Sequence, residues 1–191
     1  MLSRLKNIAE KLLAPIARAV LKAGLSPNVL TVLGLVLAAL AALFYSLKGI
    51  LLALISLFVS GLLDALDGTV ARMSQKSSAA GGFLDAVSDR YSDAFLILGI
   101  VIGGYCDVLI GLLALSGCML VSYARARAES LGVREFGIGL AERPERLIII
   151  MVGTALETVH AGSLYVSMIV LSILAHITAI QRTFYALRCL K

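Results

Sequence analysis

Six times between residues 29 and 180 the chain settles into a long run of Leu, Ile, Val and Ala, and this limits its fold more than any other feature. The runs cover 29–47, 50–66, 83–103, 108–124, 147–159 and 164–180. A helix needs about 20 apolar residues to cross a bilayer, with a range of about 17–25. The expected fold is therefore all-α: a polytopic membrane protein with six transmembrane helices, preceded by an N-terminal amphipathic interfacial helix. The fifth run is short. It is expected to extend back through Glu145 and Arg146, with those charges at the membrane surface. Composition excludes a soluble domain. Hydrophobic residues make up 60% and charged residues 15%, with a mean hydropathy of +0.97. Soluble domains average about 45–50% apolar and about 25% charged.

Residues 1–24 read as a separate juxtamembrane unit. Leu2, Leu5, Ile8, Leu12, Leu13, Ile16, Val20 and Leu21 recur at helical spacing, and Arg4, Lys6, Lys11, Arg18 and Lys22 fall mostly between them. That is the pattern of a helix lying in the interface, with a candidate kink at Pro15. No short apolar core with a small-residue cleavage site follows, so it does not read as a signal peptide. Gly24 breaks it; Ser26 is a candidate N-cap and Pro27 suits the first turn of the next helix. Residues 25–191 then form one six-helix membrane domain.

With a cytoplasmic N-terminus, Lys48 is the one basic residue of 17 that falls in an outer loop. The positive-inside rule therefore places both termini and the inner loops in the cytoplasm of a cell membrane. The net charge of +5 is accounted for by topology, and no nucleic-acid partner is expected. The three cysteines, Cys106, Cys118 and Cys189, are scattered and read as small apolar side chains. Tyr45 and Tyr105 suit an interfacial belt. Gly34, Gly61, Gly111, Gly117 and Gly153 read as close helix packing, and His176 as an interhelical hydrogen bond.

One stretch breaks the apolar pattern. Residues 64–93 read DALDGTVARMSQKSSAAGGFLDAVSDRYSD and carry five aspartates: Asp64, Asp67, Asp85, Asp89 and Asp93. Asp64 and Asp67 share a helix face, which Gly68 and Arg72 continue. Asp85 and Asp89 are one turn apart on the next helix. If the two helices pack antiparallel, the carboxylate pairs face each other. Carboxylates at a bilayer are costly and mark function. Arg72, Lys76 and Arg90 cannot neutralise them all. All-oxygen ligation points to Mg, Mn or Ca rather than zinc, and two such cations suit phosphoryl chemistry. Gly68, Ala71 and Gly81 are small enough to let a ligand approach the backbone.

Asp64, Asp67, Gly68, Ala71, Arg72, Gly81, Asp85 and Asp89 spell DxxDGxxAR, eight residues, GxxxDxxxD; eight residues are specified over 26 positions. In this the chain resembles the CDP-alcohol phosphotransferase family. The six runs and the basic helix extend the likeness over nearly the whole chain. The resemblance implies a membrane phospholipid synthase. It moves a phosphatidyl-type group, diacylglycerol or archaeol based, from a CDP-linked lipid to an acceptor hydroxyl and releases CMP. It implies two ions, Mg2+ or Mn2+, held by Asp64, Asp67, Asp85 and Asp89, with Asp89 also the catalytic general base. Gly68, Ala71, Arg72 and Gly81 would cradle the CDP group. SPNVLT resembles the family's TPNxxT segment, which adds Asn28 and Thr31 to the nucleotide pocket, helix capping being the alternative. A homodimer is implied in the same way. Asp93 lies outside the pattern and is expected behind the metal ligands or paired with an Arg.

Residues 122–146 read SYARARAESLGVREFGIGLAERPER and hold Arg125, Arg127, Arg134, Arg143 and Arg146. Part of this charge serves membrane lipid headgroups. The guanidinium fork also suits a phosphorylated acceptor, and Arg125, Arg143 and Arg146 are the candidates to bind its phosphate. YARARAE and ERPER resemble the branch of the family that makes phosphatidylinositol phosphate or its archaeal ether-lipid counterpart. That implies inositol 1-phosphate as acceptor, with glycerol 3-phosphate the alternative. A cation transporter, the distant alternative, would place carboxylates near the midplane within inverted repeats. Here they cluster at one membrane face.

Overall fold

The computed structural model describes residues 2–74, 78–133 and 139–190, with side chains from Leu12 onward. Lys76, Arg134 and the side chains of residues 2–11 lie outside the described residues. Among the described residues there are seven helices: α1 (Leu2–Lys22), α2 (Pro27–Ser46), α3 (Ile50–Met73), α4 (Ala79–Ile102), α5 (Val108–Ser130), α6 (Arg143–Glu157) and α7 (Ser163–Cys189). Four of them, α2, α3, α5 and α7, are long and apolar enough to cross a membrane. α4 carries the third apolar run together with three aspartates, and α6 has 15 residues.

Pro15 does not interrupt α1, which continues through it. Leu13 and Ala17 are buried against Leu30 of α2 and Leu66 and Val70 of α3. Ser26 takes the N-cap position of α2 with an extended backbone, but its side chain makes no capping bond. Its carbonyl instead accepts the Val29 and Leu30 N–H groups at 3.1 and 3.4 Å.

α2 is the hub on which both α3 and α4 pack. Among the described residues α3 and α4 make no close backbone contact with each other. The direct packing that the sequence suggested is replaced by a cleft with α2 as its floor. α5 and α6 pack on α7, and the α3–α6 and α4–α5 contacts join the two groups. Small residues decide how closely the helices approach. A Cβ added at Gly99 of α4 would lie 2.5 Å from the Ala42 Cα on α2. Gly117 presses on Ala175, Gly111 on Val101 and Gly153 on Ser167, whereas Gly34 and Gly61 make ordinary contacts. Gly99→Ala should therefore destabilise the fold by about 1–3 kcal/mol, the usual cost of overpacking. A lower Tm in detergent checks this; an unchanged Tm would mean that α2 and α4 can separate freely.

Two side chains depart from their sequence expectation. Tyr45 is fully buried rather than at a lipid interface. Thr154 donates to the Ile150 carbonyl at 2.7 Å, so the Tyr45 hydroxyl donates to Thr154 Oγ1, at 2.5 Å. A buried phenol needs such a partner, and α6 supplies it. Arg146, expected at the membrane surface, is 3% exposed inside the bundle. His176 does pair across helices, with Nε2 at 3.1 Å from the Leu113 carbonyl on α5. Cys106, Cys118 and Cys189 are free thiols.

Candidate active site

The carboxylates project from the helix ends into the cleft. Helical spacing puts Asp64 and Asp67 on one face of α3, and Asp85 and Asp89 one turn apart on α4. Oxygens of Asp64, Asp67 and Asp85 lie within 4.8 Å of one another. Asp67 is buried, while Asp64 and Asp85 are half-buried. The α2 floor supplies a donor: Thr31 Oγ1 gives a 2.6 Å hydrogen bond to Asp67 Oδ2. That bond orients the Asp67 carboxylate within the cluster. Three clustered carboxylates, with no sulfur or imidazole among them, fit a hard divalent cation by the chemistry of their donors.

Beside this cluster is a cavity of about 160 Å³. Asn28 and Thr31 of α2, Gly68 and Ala71 of α3, and Gly81 of α4 line it with Asp67 and Asp85. Ser78 Oγ accepts the Gly81 N–H at 3.0 Å and starts α4. A Cβ at Gly81 would lie 3.2 Å from both Asn28 Oδ1 and Ser78 Oγ, so a larger residue would crowd the cavity wall. Arg72 is exposed and folds back beside Gly68: a Cβ there would lie 3.3 Å from Arg72 Nη1.

Asp89 faces a different partner. Arg143, the first residue of α6, pairs with Asp64 and reaches Asp89 Oδ1 at 2.8 Å. Arg90 Nη1 approaches the other Asp89 oxygen at 3.3 Å. One guanidinium thus spans a carboxylate from each of the two acidic helices. Of the three arginines assigned to an acceptor phosphate, Arg143 is the one brought to Asp64 and Asp89. Arg125 is exposed and pairs with Glu129 one turn away at 2.9 Å. Arg146 is turned inward, with Nη2 at 2.8 Å from Asp93 Oδ2. The expected pairing of Asp93 with an Arg is therefore present, one turn beyond Asp89.

Three residues near the site escaped the sequence reading. Arg182 of α7 is buried, donating to the Val121 carbonyl at 3.0 Å and to Glu142 Oε1 at 3.1 Å. Thr178 accepts two backbone N–H groups of the segment before α6. A cation near the end of an apolar run was a usable signal for Arg182. For Glu142 and Thr178 no local signal exists, since their partners are distant in sequence.

Comparison with known proteins sets this geometry in context. Residues 24–185 match the CDP-alcohol phosphatidyltransferase family. The archaetidylinositol phosphate synthase of Methanothermobacter thermautotrophicus is 40% identical over 192 residues, covering 100% of this chain and 96% of that protein. The phosphatidylinositol phosphate synthase of Mycolicibacterium smegmatis is 35% identical, over 90% of this chain and 82% of that one. The crystal structure of Mycobacterium tuberculosis phosphatidylinositol phosphate synthase with CDP-DAG bound superposes with a TM-score of 0.82 at 32% identity, covering 92% of this chain and 94% of that one. The same enzyme in complex with manganese and citrate gives a TM-score of 0.80, over 90% and 87% of the two chains.

Proposed function

The chain belongs to the CDP-alcohol phosphatidyltransferase family, and from that premise we propose that it transfers a phosphatidyl-type group from a CDP-linked lipid to inositol 1-phosphate, releasing CMP. The observation that carries this is the convergence of Asp64, Asp67 and Asp85 beside the cavity, with Arg143 joining Asp64 to Asp89. The names of the relatives support inositol phosphate over other acceptors.

The cavity between Asn28, Gly68, Ala71 and Gly81 takes the cytidine phosphate, with Arg72 at its rim. The lipid, diacylglycerol or archaeol based, extends toward the bilayer. Asp64, Asp67 and Asp85, with Asp89 for a second ion, would hold Mg2+ or Mn2+. Bound there, these cations neutralise the diphosphate and the departing CMP. Arg143 meets the acceptor's phosphate through its planar fork. That places the acceptor hydroxyl near Asp89. The hydroxyl oxygen forms a bond to the lipid-bearing phosphorus, the bond from that phosphorus to the CMP oxygen breaks, and Asp89 takes the hydroxyl proton.

In this reading α4 and α6 complete a set of six crossings and α1 lies in the interface. Both termini and the cleft face the cytoplasm of the cell membrane, and the protein works as a homodimer. α4 and α6 can carry charge into the bundle because Asp93 and Arg146 neutralise each other there.

The purified protein in detergent should release CMP from a CDP-lipid when Mg2+ or Mn2+ and inositol 1-phosphate are present, and stop when EDTA is added. Preference for glycerol 3-phosphate in direct competition would overturn the acceptor assignment. Arg143→Ala should raise the KM for inositol 1-phosphate roughly ten- to a hundredfold, as expected for a lost charge-assisted bond of about 1.5–3 kcal/mol. CDP-lipid affinity should change little. An unaltered acceptor KM would remove Arg143 from the phosphate pocket.

A further inference from the structure

A helix normally satisfies its first N–H groups with a local cap. α6 does not. Glu142 stands at its N-cap position but its side chain makes no capping bond; its Oε1 instead accepts from Arg182 of α7. The segment just ahead is held from elsewhere. Thr178 Oγ1, fully buried on α7, accepts the Leu140 and Ala141 N–H groups, each at 3.0 Å. The Ala141 carbonyl faces Arg146 Nη1 at 3.5 Å, and Arg146 is anchored to Asp93 of α4. Gly139 has a φ of +129° and packs directly on the Thr178 methyl, an approach that a side chain would block. The start of α6 is thus located by α7 and α4 rather than by its own sequence.

Arg143 lies two residues past Ala141. Its guanidinium reaches both Asp64 and Asp89 only if the backbone it springs from is placed to hydrogen-bond accuracy. We infer that Thr178 is a positioning residue for acceptor recognition: by holding the Leu140 and Ala141 N–H groups on α7, it sets where Arg143 stands between Asp64 and Asp89. The inference rests on the acceptor role of Arg143 proposed above. A threonine suits the position because one hydroxyl oxygen can accept two bonds. Valine has nearly the same shape and can accept neither.

The test compares Thr178→Val, Thr178→Ser and Arg143→Ala, alone and with Thr178→Val added to Arg143→Ala, by CMP release with inositol 1-phosphate varied. Thr178→Val should raise the acceptor KM about tenfold, the equivalent of about 1.4 kcal/mol. The CDP-lipid KM should stay within about twofold, and Thr178→Ser should restore the acceptor KM. In the Arg143→Ala background, Thr178→Val should add almost nothing, since coupled residues are non-additive. A Thr178→Val effect that persists in that background, that raises both KM values together, or that appears in Tm alone would overturn the inference and leave the role of Arg143 intact. No acceptor effect from Arg143→Ala itself would mean that the underlying reading has failed.

Discussion

Asp89→Asn should cost about 10²–10⁴ in kcat at saturating metal, the range that a positioned general base contributes, while CDP-lipid binding survives. Asparagine has the same shape as aspartate and keeps one oxygen, which can still accept from Arg143 while the weaker 3.3 Å contact to Arg90 is lost. What it lacks is the ability to take a proton. Asp89 is not among the three carboxylates that cluster within 4.8 Å, although its side chain comes within hydrogen-bond reach of Asp85, and it shares Arg143 with Asp64. That location suits a group that meets the acceptor rather than the nucleotide. Two measurements separate the possibilities: CMP release with Mn2+ raised to saturation, and CDP-lipid binding by calorimetry. Wild-type turnover in the variant would remove Asp89 as the base. Turnover fully regained by excess metal would make its role ligation alone.

Asp93→Ala should destabilise the protein by about 3–5 kcal/mol, because it leaves a guanidinium buried without its partner. Asp93 is 4% exposed and Arg146 3% exposed, and their bond is 2.8 Å long. Arg146 Nε has no partner of its own among the described residues, so the carboxylate carries much of the compensation. The double change Asp93→Leu with Arg146→Met removes both charges and should recover most of the Tm, since apolar replacement of a buried ion pair is often neutral or better. A single Asp93→Ala variant that melts like the wild type would show that water already reaches Arg146.

The acidic motif was legible in the sequence because its geometry is local. Spacings of three and four residues put carboxylates on one face of whichever helix carries them, and the Gly and Ala residues beside them mark where a ligand can come close. Its surroundings were harder to read. Thr31 is 36 residues from the Asp67 that it orients. Arg125, Arg143 and Arg146 look alike on paper, yet one faces solvent, one the aspartates and one the bundle interior. Tyr45 reads as a belt residue until Thr154, 109 residues later, proves to hold its hydroxyl.

The sequence by itself determined that this is a helical membrane protein with a carboxylate cluster at one end of two of its helices. Apolar length and helical period are properties of short segments, so they need no knowledge of neighbours. Only the tertiary structure decided that α3 and α4 stand apart over α2, leaving a cleft, and that Arg143 meets Asp64 and Asp89 while Arg146 meets Asp93. A buried charge takes whichever opposite charge the packing of distant helices brings within about 3 Å, and spacing along the chain does not carry that information.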